Sequence, residues 1–99
     1  MFELDCKLLS IFYYIYKFKS VSSAADHLAM SQPAVSNILN KIRAHYNDPL
    51  FLRIGNEMIP TELSKQLFPL VSEALNKVEI INNFTINFDE QASHQQFTI

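Results

Sequence analysis

The sequence predicts a mainly helical fold with one short β-hairpin. Its 99 residues include one glycine and four prolines, so turns are few and long helices are favoured over an all-β fold. Hydrophobic residues make up 48% of the chain, which is too apolar for intrinsic disorder. Apolar residues recur at helical spacing in four stretches, and one β-compatible stretch surrounds the glycine. We expect one domain with a single modest core.

The first predicted helix runs from its N-cap, Asp5, to about Lys17. Its apolar residues at helical spacing are Leu8, Leu9, Phe12, Ile15 and Tyr16. Four more, Ile11, Tyr13, Tyr14 and Phe18, make it apolar almost all round. Such a helix should be covered on more than one side, so we expect a second chain to pack against it.

The second and third predicted helices are joined by the turn Ala29-Met30-Ser31. Ser22 is the expected N-cap of the second helix, over Ser23 to about Ala29, with Ala24, Ala25 and Leu28 inward. Ser31 is the expected N-cap of the third helix, where Pro33 lies in the first turn and costs little. The inward residues of this helix are Val35, Ile38, Leu39 and Ile42, and it ends near residues 46–49.

A hairpin and a long helix are predicted next. Residues 51–54 and 57–59 are β-compatible, and Gly55 lies at the tip, where a positive φ is useful. Pro60 stops the second strand, and Thr61 caps a helix with a possible kink before Pro69. A seam widened by Leu63 and Leu70 predicts pairing with a second copy; its residues are Leu67, Val71, Ala74, Val78 and Ile81.

These elements divide the chain into three parts. Residues 1–60 have the layout of a winged helix-turn-helix, with three helices and a hairpin wing, and residues 61–82 form a dimerising linker helix. Apolar and polar residues alternate beyond residue 83, and residues 97–99 resemble a truncated strand. We expect residues 83–99 to be a hinge and the start of an absent domain.

Composition narrows the setting and the class of function. The lone Cys6 fits a reducing cytoplasm, and the nine-residue apolar run in the first helix is too short to span a membrane, which needs about 20 residues. Charge alone does not suggest nucleic acid: the net charge is −2, with +1 over residues 1–60 and −3 over residues 61–99.

The outward face of the third helix carries the functional prediction. Its residues are short and polar: Gln32, Pro33, Ser36, Asn37 and Asn40. Asn and Gln can bond adenine bidentately, and small residues let a helix enter the major groove. The alternative interpretation is that this face is only exposed to solvent and binds nothing. An ordinary exposed helix face, however, would carry more Glu and Lys than Ser and Asn.

Basic and hydroxyl residues beside this face are the predicted phosphate contacts. Lys41, Arg43 and Arg53 flank it, and the start of the second helix at Ser22 and Ser23 could offer backbone N–H groups to a phosphate. A rival hypothesis is a helical adaptor whose third helix meets protein, which the scarcity of basic residues favours.

Four segments closely resemble LysR-type transcriptional regulators, and within that family Ser36-Asn37, residues 46–48 and residues 88–97 look most like the LeuO and NodD branch. The four segments are residues 23–28, Ser-Ala-Ala-Asp-His-Leu; residues 30–36, Met-Ser-Gln-Pro-Ala-Val-Ser; residues 48–53, Asp-Pro-Leu-Phe-Leu-Arg; and Pro60-Thr61. The resemblance covers residues 4 to about 82. It implies cytoplasmic homodimers or tetramers that bind partly palindromic double-stranded DNA, paired through linker helices, with a C-terminal domain that senses a small molecule.

The resemblance also assigns roles to residues. It places base reading on Gln32, Pro33, Ser36 and Asn37. It places phosphate and wing contacts on Ser22, Ser31, Lys41, Arg53 and Asn56. This sequence departs from the family at Asn37, Asn40 and Asn56, where Arg or Lys is common, so it carries fewer of the family's positive charges on the third helix and the wing.

No catalytic or metal site is expected. His27, His45 and His94 are too scattered for a metal motif, and one glycine cannot build a phosphate loop. No Ser, His and acid arrangement supports catalysis. We expect no cofactor, no enzyme and no membrane association.

Overall fold

Three helices, a two-stranded antiparallel hairpin and a long fourth helix follow one another in the computed structural model, which describes residues 4–85. The helices are α1 Cys6–Phe18, α2 Val21–Leu28, α3 Gln32–Tyr46 and α4 Glu62–Asn82; the strands are β1 Phe51–Ile54 and β2 Glu57–Pro60. The hairpin pairs Phe51 with Pro60 and Ile54 with Glu57, so Gly55 and Asn56 form its tip. The winged helix-turn-helix prediction is confirmed. The predicted elements beyond residue 85 lie outside the described residues.

Side-chain caps begin the four helices, and three of the caps are the predicted ones. Asp5, Ser31 and Thr61 each accept a hydrogen bond from the backbone N–H three residues later, as N-caps do. The predicted cap of α2 was wrong. Ser20, not Ser22, accepts the bond, from the Ser23 N–H at 3.0 Å.

The core lies where α1 crosses the other elements. Its buried residues are Ile11, Phe12, Ile15, Ala24, Ala25, Val35, Leu39, Ile42, Leu50, Phe51, Met58 and Val71. On α3 the predicted inward residues are buried, except that Ile38 is half-buried. The two alanines of α2 let that helix approach α1 closely, because neither side chain extends beyond Cβ.

The aromatic side chains of α1 are partly covered within one chain: Phe12 is buried, the three tyrosines are half-buried and Phe18 is exposed. Phe68 of α4 stacks on Tyr16 at a centroid distance of 4.0 Å and on Tyr13 at 5.3 Å. On another side of the helix, Tyr14 packs against His27 of α2 at 4.2 Å. Contacts within the chain therefore cover part of the apolar surface of α1, and packing of a second chain against the rest stays a prediction.

The fourth helix is continuous through Pro69 and uses one side to close the core. Val71 is only 7% exposed, and Leu67 packs against the same core. Both were predicted to face a second chain. Val71 instead lies in the core of this chain, because the predicted seam borders the face of α4 that covers α1, whereas half-buried Leu67 keeps part of its surface outside the core. Ala74 and Val78 are half-buried and Ile81 is exposed. No helix among residues 4–85 is long and apolar enough to cross a membrane.

A hydrogen-bonded elbow joins α3, the wing and α4. Leu50 is fully buried with a left-handed φ of 62°, and its N–H donates to Asp48 Oδ1 at 2.7 Å. The Leu50 carbonyl accepts from the Ser64 hydroxyl at 2.6 Å and from the Thr61 N–H at 2.9 Å. Thr61 Oγ1 also donates to Asp48 Oδ1 at 2.9 Å. These bonds fix how the wing stands beside α3.

Candidate nucleic-acid interface

One side of α3 is polar and exposed, whereas the opposite side is in the core. Gln32, Ser36 and Asn40 recur every four residues, so they share a face of the helix, and all three are exposed. Val35 and Leu39, between them in sequence, are 0% and 2% exposed. The hydrophobic contacts of α3 therefore hold this polar row outward without using any of its side chains.

A notch of about 680 Å³ lies between this row, the start of α2 and the wing. It is lined by Ser20, Val21, Ser22, Gln32, Ser36, Leu39, Asn40, Arg43, Arg53, Asn56 and Met58. Both charged residues in that set are arginines. The notch is thus cationic in a chain whose net charge is −2, which whole-chain charge did not reveal.

The notch brings together seven of the predicted site residues and leaves five outside it. Those brought together are Gln32, Ser36, Asn40, Ser22, Arg43, Arg53 and Asn56. Pro33, Asn37, Ser23, Ser31 and Lys41 are exposed but do not line it. Pro33 and Asn37 lie beside the polar row on α3, and Lys41 follows Asn40 on the same helix.

Arg43 is held by three acceptors of its own chain. Its Nε donates to the Pro49 carbonyl at 2.6 Å and its Nη2 to the Phe51 carbonyl at 3.1 Å, which ties α3 to the first wing strand. Its Nη1 donates to Asn40 Oδ1 at 3.1 Å. The guanidinium of Arg43 thus forms an internal clamp, and its predicted contact with a phosphate stays a prediction.

The wing contributes Arg53 and Asn56 to the notch. Arg53 is exposed and pairs across the hairpin with Met58, whose buried side chain anchors the wing to the core. Gly55 has a φ of +64°, which the first residue of a two-residue hairpin turn requires. This geometry explains why the single glycine of the chain stands at the wing tip.

The start of α2 offers different groups from those predicted. The Ser23 N–H donates to Ser20 Oγ, so it is occupied, while Ser22 Oγ lies 3.1 Å from Ser20 Oγ at the edge of the notch. Ser20 and Val21 were missed. Three serines among residues 20–23 are equally good caps by type, and only the end of α1 at Phe18, followed by left-handed Lys19, selects the first.

The histidines described by the structure serve other purposes. His27 packs against Tyr14 and, at 5.5 Å, against Phe18. His45 lies edge-on to Tyr46 at 4.7 Å. Within residues 4–85, no three His, Cys, Asp or Glu side chains are grouped closely enough to hold a metal ion.

Comparisons with known proteins agree with this architecture. The chain is 37% identical over 97 residues to the HTH-type transcriptional activator NagR of Ralstonia sp, covering 98% of this chain and 32% of that protein. It is 40% identical over 76 residues to the HTH-type transcriptional regulator LeuO of Escherichia coli (strain K12), covering 77% and 24%. The chain therefore spans a third or less of the length of these relatives.

Solved structures share the fold. A probable transcriptional regulator of Pseudomonas aeruginosa, PA0477, superposes with a TM-score of 0.73 at 39% identity, covering 77% of this chain and 26% of that one. The DNA-binding domain of BenM in complex with benA site 1 DNA superposes with a TM-score of 0.73, covering 79% and 91%. At 19% identity, that likeness concerns the fold alone.

The family model matches the segment that contains the notch. Residues 6–65, from the start of α1 into α4, match the model described as "Bacterial regulatory helix-turn-helix protein, lysR family". This span is more than half of the chain. The resemblance found in the sequence is confirmed: the chain belongs to the LysR family of bacterial regulatory helix-turn-helix proteins.

Proposed function

We propose that this chain binds double-stranded DNA sequence-specifically and serves as the DNA-reading end of a transcription regulator. Gln32, Ser36 and Asn40 would read base edges in the major groove, and Arg53 and Lys41 would contact phosphates on either side. The observation that carries this proposal is the exposed polar row on α3, held outward by its buried face and flanked by a cationic notch.

The chemistry of the notch supports DNA over a protein partner. Amide and hydroxyl side chains at the N-terminal end of a helix can donate to and accept from base edges. The relatives named above are transcription regulators, and the BenM domain with the same fold is in complex with DNA. In the whole protein we propose that this binding regulates transcription.

A second copy of the chain completes the proposal. The part of α4 beyond the core presents half-buried Ala74 and Val78 and exposed Ile81, and Leu70 on the same side is also exposed. Pairing of two such helices would bury this stripe and place two α3 helices about 34 Å, or a small multiple of that, apart. The operator would then be partly palindromic.

The proposal predicts that Gln32→Ala weakens binding to a duplex selected by the chain from random DNA. Loss of one base contact should cost about 1–3 kcal/mol of binding free energy, measured by fluorescence anisotropy. Asn76→Ala, which removes an exposed amide of α4 outside the notch and away from the side of Leu70 and Ile81, is the control and should bind as the unmodified chain does. Equal binding by both variants contradicts the assignment of the row.

Salt dependence separates DNA binding from the adaptor hypothesis. Because Arg43 is held internally, each chain offers two phosphate-binding cations, Lys41 and Arg53, and a dimer offers four. A plot of log Kd against log salt concentration should then have a slope of about 3.6 in magnitude, from about 0.9 for each phosphate contacted. A protein-binding adaptor would select no duplex from random DNA and would show no salt-sensitive DNA binding. Selection from random DNA followed by titration at several salt concentrations distinguishes the two.

A further inference from the structure

The bond between Arg43 and Asn40 fixes the orientation of an amide at the proposed DNA surface. A guanidinium carries only donors, so the group of Asn40 that faces it must be the carbonyl oxygen. The reverse orientation would set N–H groups against N–H groups and is excluded by that repulsion. Arg43 cannot turn away readily, because the Pro49 and Phe51 carbonyls hold its other nitrogens.

This orientation leaves Asn40 with donors to offer. Its Oδ1 is engaged by a cation, whereas the two N–H groups of Nδ2 have no acceptor among the described residues. Bidentate binding to adenine requires an asparagine to donate one hydrogen bond and accept another. Because Arg43 already donates to Oδ1, that oxygen is not available to accept from adenine. The predicted bidentate binding of adenine therefore does not suit Asn40.

We infer that Arg43 is a positioning residue that commits Asn40 to donating, so that Asn40 binds a hydrogen-bond acceptor on DNA. This inference rests on the proposed function. The acceptor is either a base atom or a phosphate oxygen, which share the required chemistry. Among base edges guanine fits best, because its O6 and N7 both accept, whereas adenine and thymine each present a single acceptor in the major groove. Arg43 acts through Asn40 and through the position of the wing without itself binding DNA.

Asn37 provides an internal comparison. It is the same residue type, one turn earlier on α3, and is exposed. Within the part of the chain that the structure describes, no hydrogen bond is assigned to its amide. Its amide can therefore present either end to a base. A change at Arg43 should alter the preference at the position that Asn40 contacts and leave the preference at the position of Asn37 unchanged.

The test uses the purified chain and a duplex that it selects from random DNA. Guanines in that duplex are replaced one at a time by 7-deazaguanine, which lacks N7, or by 2-aminopurine, which lacks O6, and phosphates one at a time by neutral methylphosphonates. One substitution should weaken binding of the unmodified chain about tenfold, and the same substitution should have no effect on binding by Asn40→Ala. If that substitution is a guanine analogue, the acceptor is a base; if it is a methylphosphonate, the acceptor is a phosphate.

Arg43→Gln supplies the positioning test, because glutamine can face the amide with either a donor or an acceptor and so lets Asn40 turn. If the acceptor is a base, guanine and adenine at that position should then be bound within about twofold of each other; if it is a phosphate, the methylphosphonate effect should fall by at least half. The preference at the position of Asn37 should persist in either case. Circular dichroism verifies that the variant is folded.

Asn40→Asp keeps the inference testable if Arg43→Gln does not fold. A carboxylate retains the acceptor for Arg43, and with it the internal clamp, but donates nothing to DNA. Binding as tight as that of the unmodified chain would mean that Asn40 serves only the clamp, and would overturn the inference. Binding of Asn40 to the N6 amino group of an adenine would require Asn40 to accept and would also overturn the inference, as would an unchanged preference in folded Arg43→Gln. Failure to select any duplex would refute the proposed function instead.

Discussion

Left-handed backbone is used at five described residues, and only one of them is a glycine. Gly55 occupies the wing tip, whereas Lys19, Ala29, Asn47 and Leu50 adopt φ values between 52° and 62°. For a residue with a Cβ this conformation costs roughly 1–2 kcal/mol. Three of them end helices, where glycine is the usual residue, so the chain accepts local strain at its helix ends.

We expect Ala29→Gly to stabilise the fold. Relief of the left-handed strain exceeds the extra entropy that glycine gives the unfolded chain, roughly 0.4–1 kcal/mol, and Ala29 is exposed, so no packing is lost. The free energy of unfolding should rise by about 0.5–1 kcal/mol in urea titration, with an unchanged m-value.

Ala44→Gly is the matched control for that substitution. Ala44 is exposed within α3, where the backbone is helical, so glycine should lower the free energy of unfolding by up to about 1 kcal/mol. If Ala29→Gly lowers the free energy of unfolding as Ala44→Gly does, the left-handed conformation of Ala29 is not strained enough to matter, and the prediction is wrong.

The sequence identifies exposed side chains on α3 better than it identifies their partners. Helical spacing alone separates Gln32, Ser36 and Asn40 from the buried residues. The bonds of Arg43 depend on the carbonyls of Pro49 and Phe51, whose positions follow from the left-handed residues of the elbow. No local pattern encodes that path, and so the clamp could not be predicted.

At the scale of elements, α4 contains two serines with opposite surroundings. The Ser64 hydroxyl is fully buried and donates to the Leu50 carbonyl at 2.6 Å, which joins the linker helix to the wing. The Ser72 hydroxyl is also buried, but within residues 4–85 it has no hydrogen-bond partner. One hydroxyl therefore stabilises the elbow, whereas the other has lost water without compensation.

These surroundings predict opposite effects of the same substitution. Ser64→Ala should lower the free energy of unfolding by about 1 kcal/mol, because a buried bond is lost. Ser72→Ala should be neutral or raise it by roughly 0.5 kcal/mol, because alanine favours the helix and removes an unsatisfied hydroxyl. Thermal and urea unfolding of the two variants measure the difference. A loss at Ser72 equal to that at Ser64 would contradict the contrast.

Elements were predicted more accurately than their junctions. The turn between α2 and α3, the hairpin around Gly55 and the start of α4 at Thr61 follow from cap and turn chemistry. The prediction of the α2 cap was wrong because several neighbouring serines suit the N-cap position equally well. Val71 was predicted to lie on the outer side of α4 but lies on the inner side, because a dimer seam and a core face that are adjacent on one helix have the same residue spacing.

At the scale of the whole molecule, an apolar stripe remains exposed on α4. Ile81 is 71% exposed and Leu70 64%, and they lie eleven residues apart on the same side of the helix. Within the described chain nothing covers them. Their burial against a second copy is the interaction on which the proposed dimer depends.

We expect Ile81→Asp to produce a folded monomer. The side chain makes no core contact, so the fold should persist, while a carboxylate in an apolar interface loses its hydration. Sedimentation should show half the mass of the unmodified chain, and binding to a palindromic duplex should weaken at least tenfold.

Asn82→Asp places the same charge one residue later, on another exposed side of α4, and controls for charge and for the helix end. It should sediment as the unmodified chain does. A monomeric unmodified chain, or a dimeric Ile81→Asp variant, would refute pairing through this stripe.

The elbow around Leu50 fixes the base of the wing before any ligand arrives. Asp48, Thr61 and Ser64 bond the backbone of Leu50, and Arg43 bonds the carbonyls of Pro49 and Phe51, so we expect this part of the wing to need no ordering on contact with DNA. The entropy lost on association is then limited to side chains and overall tumbling. The heat capacity change of binding should consequently match the surface area removed from water, with no added contribution from coupled folding.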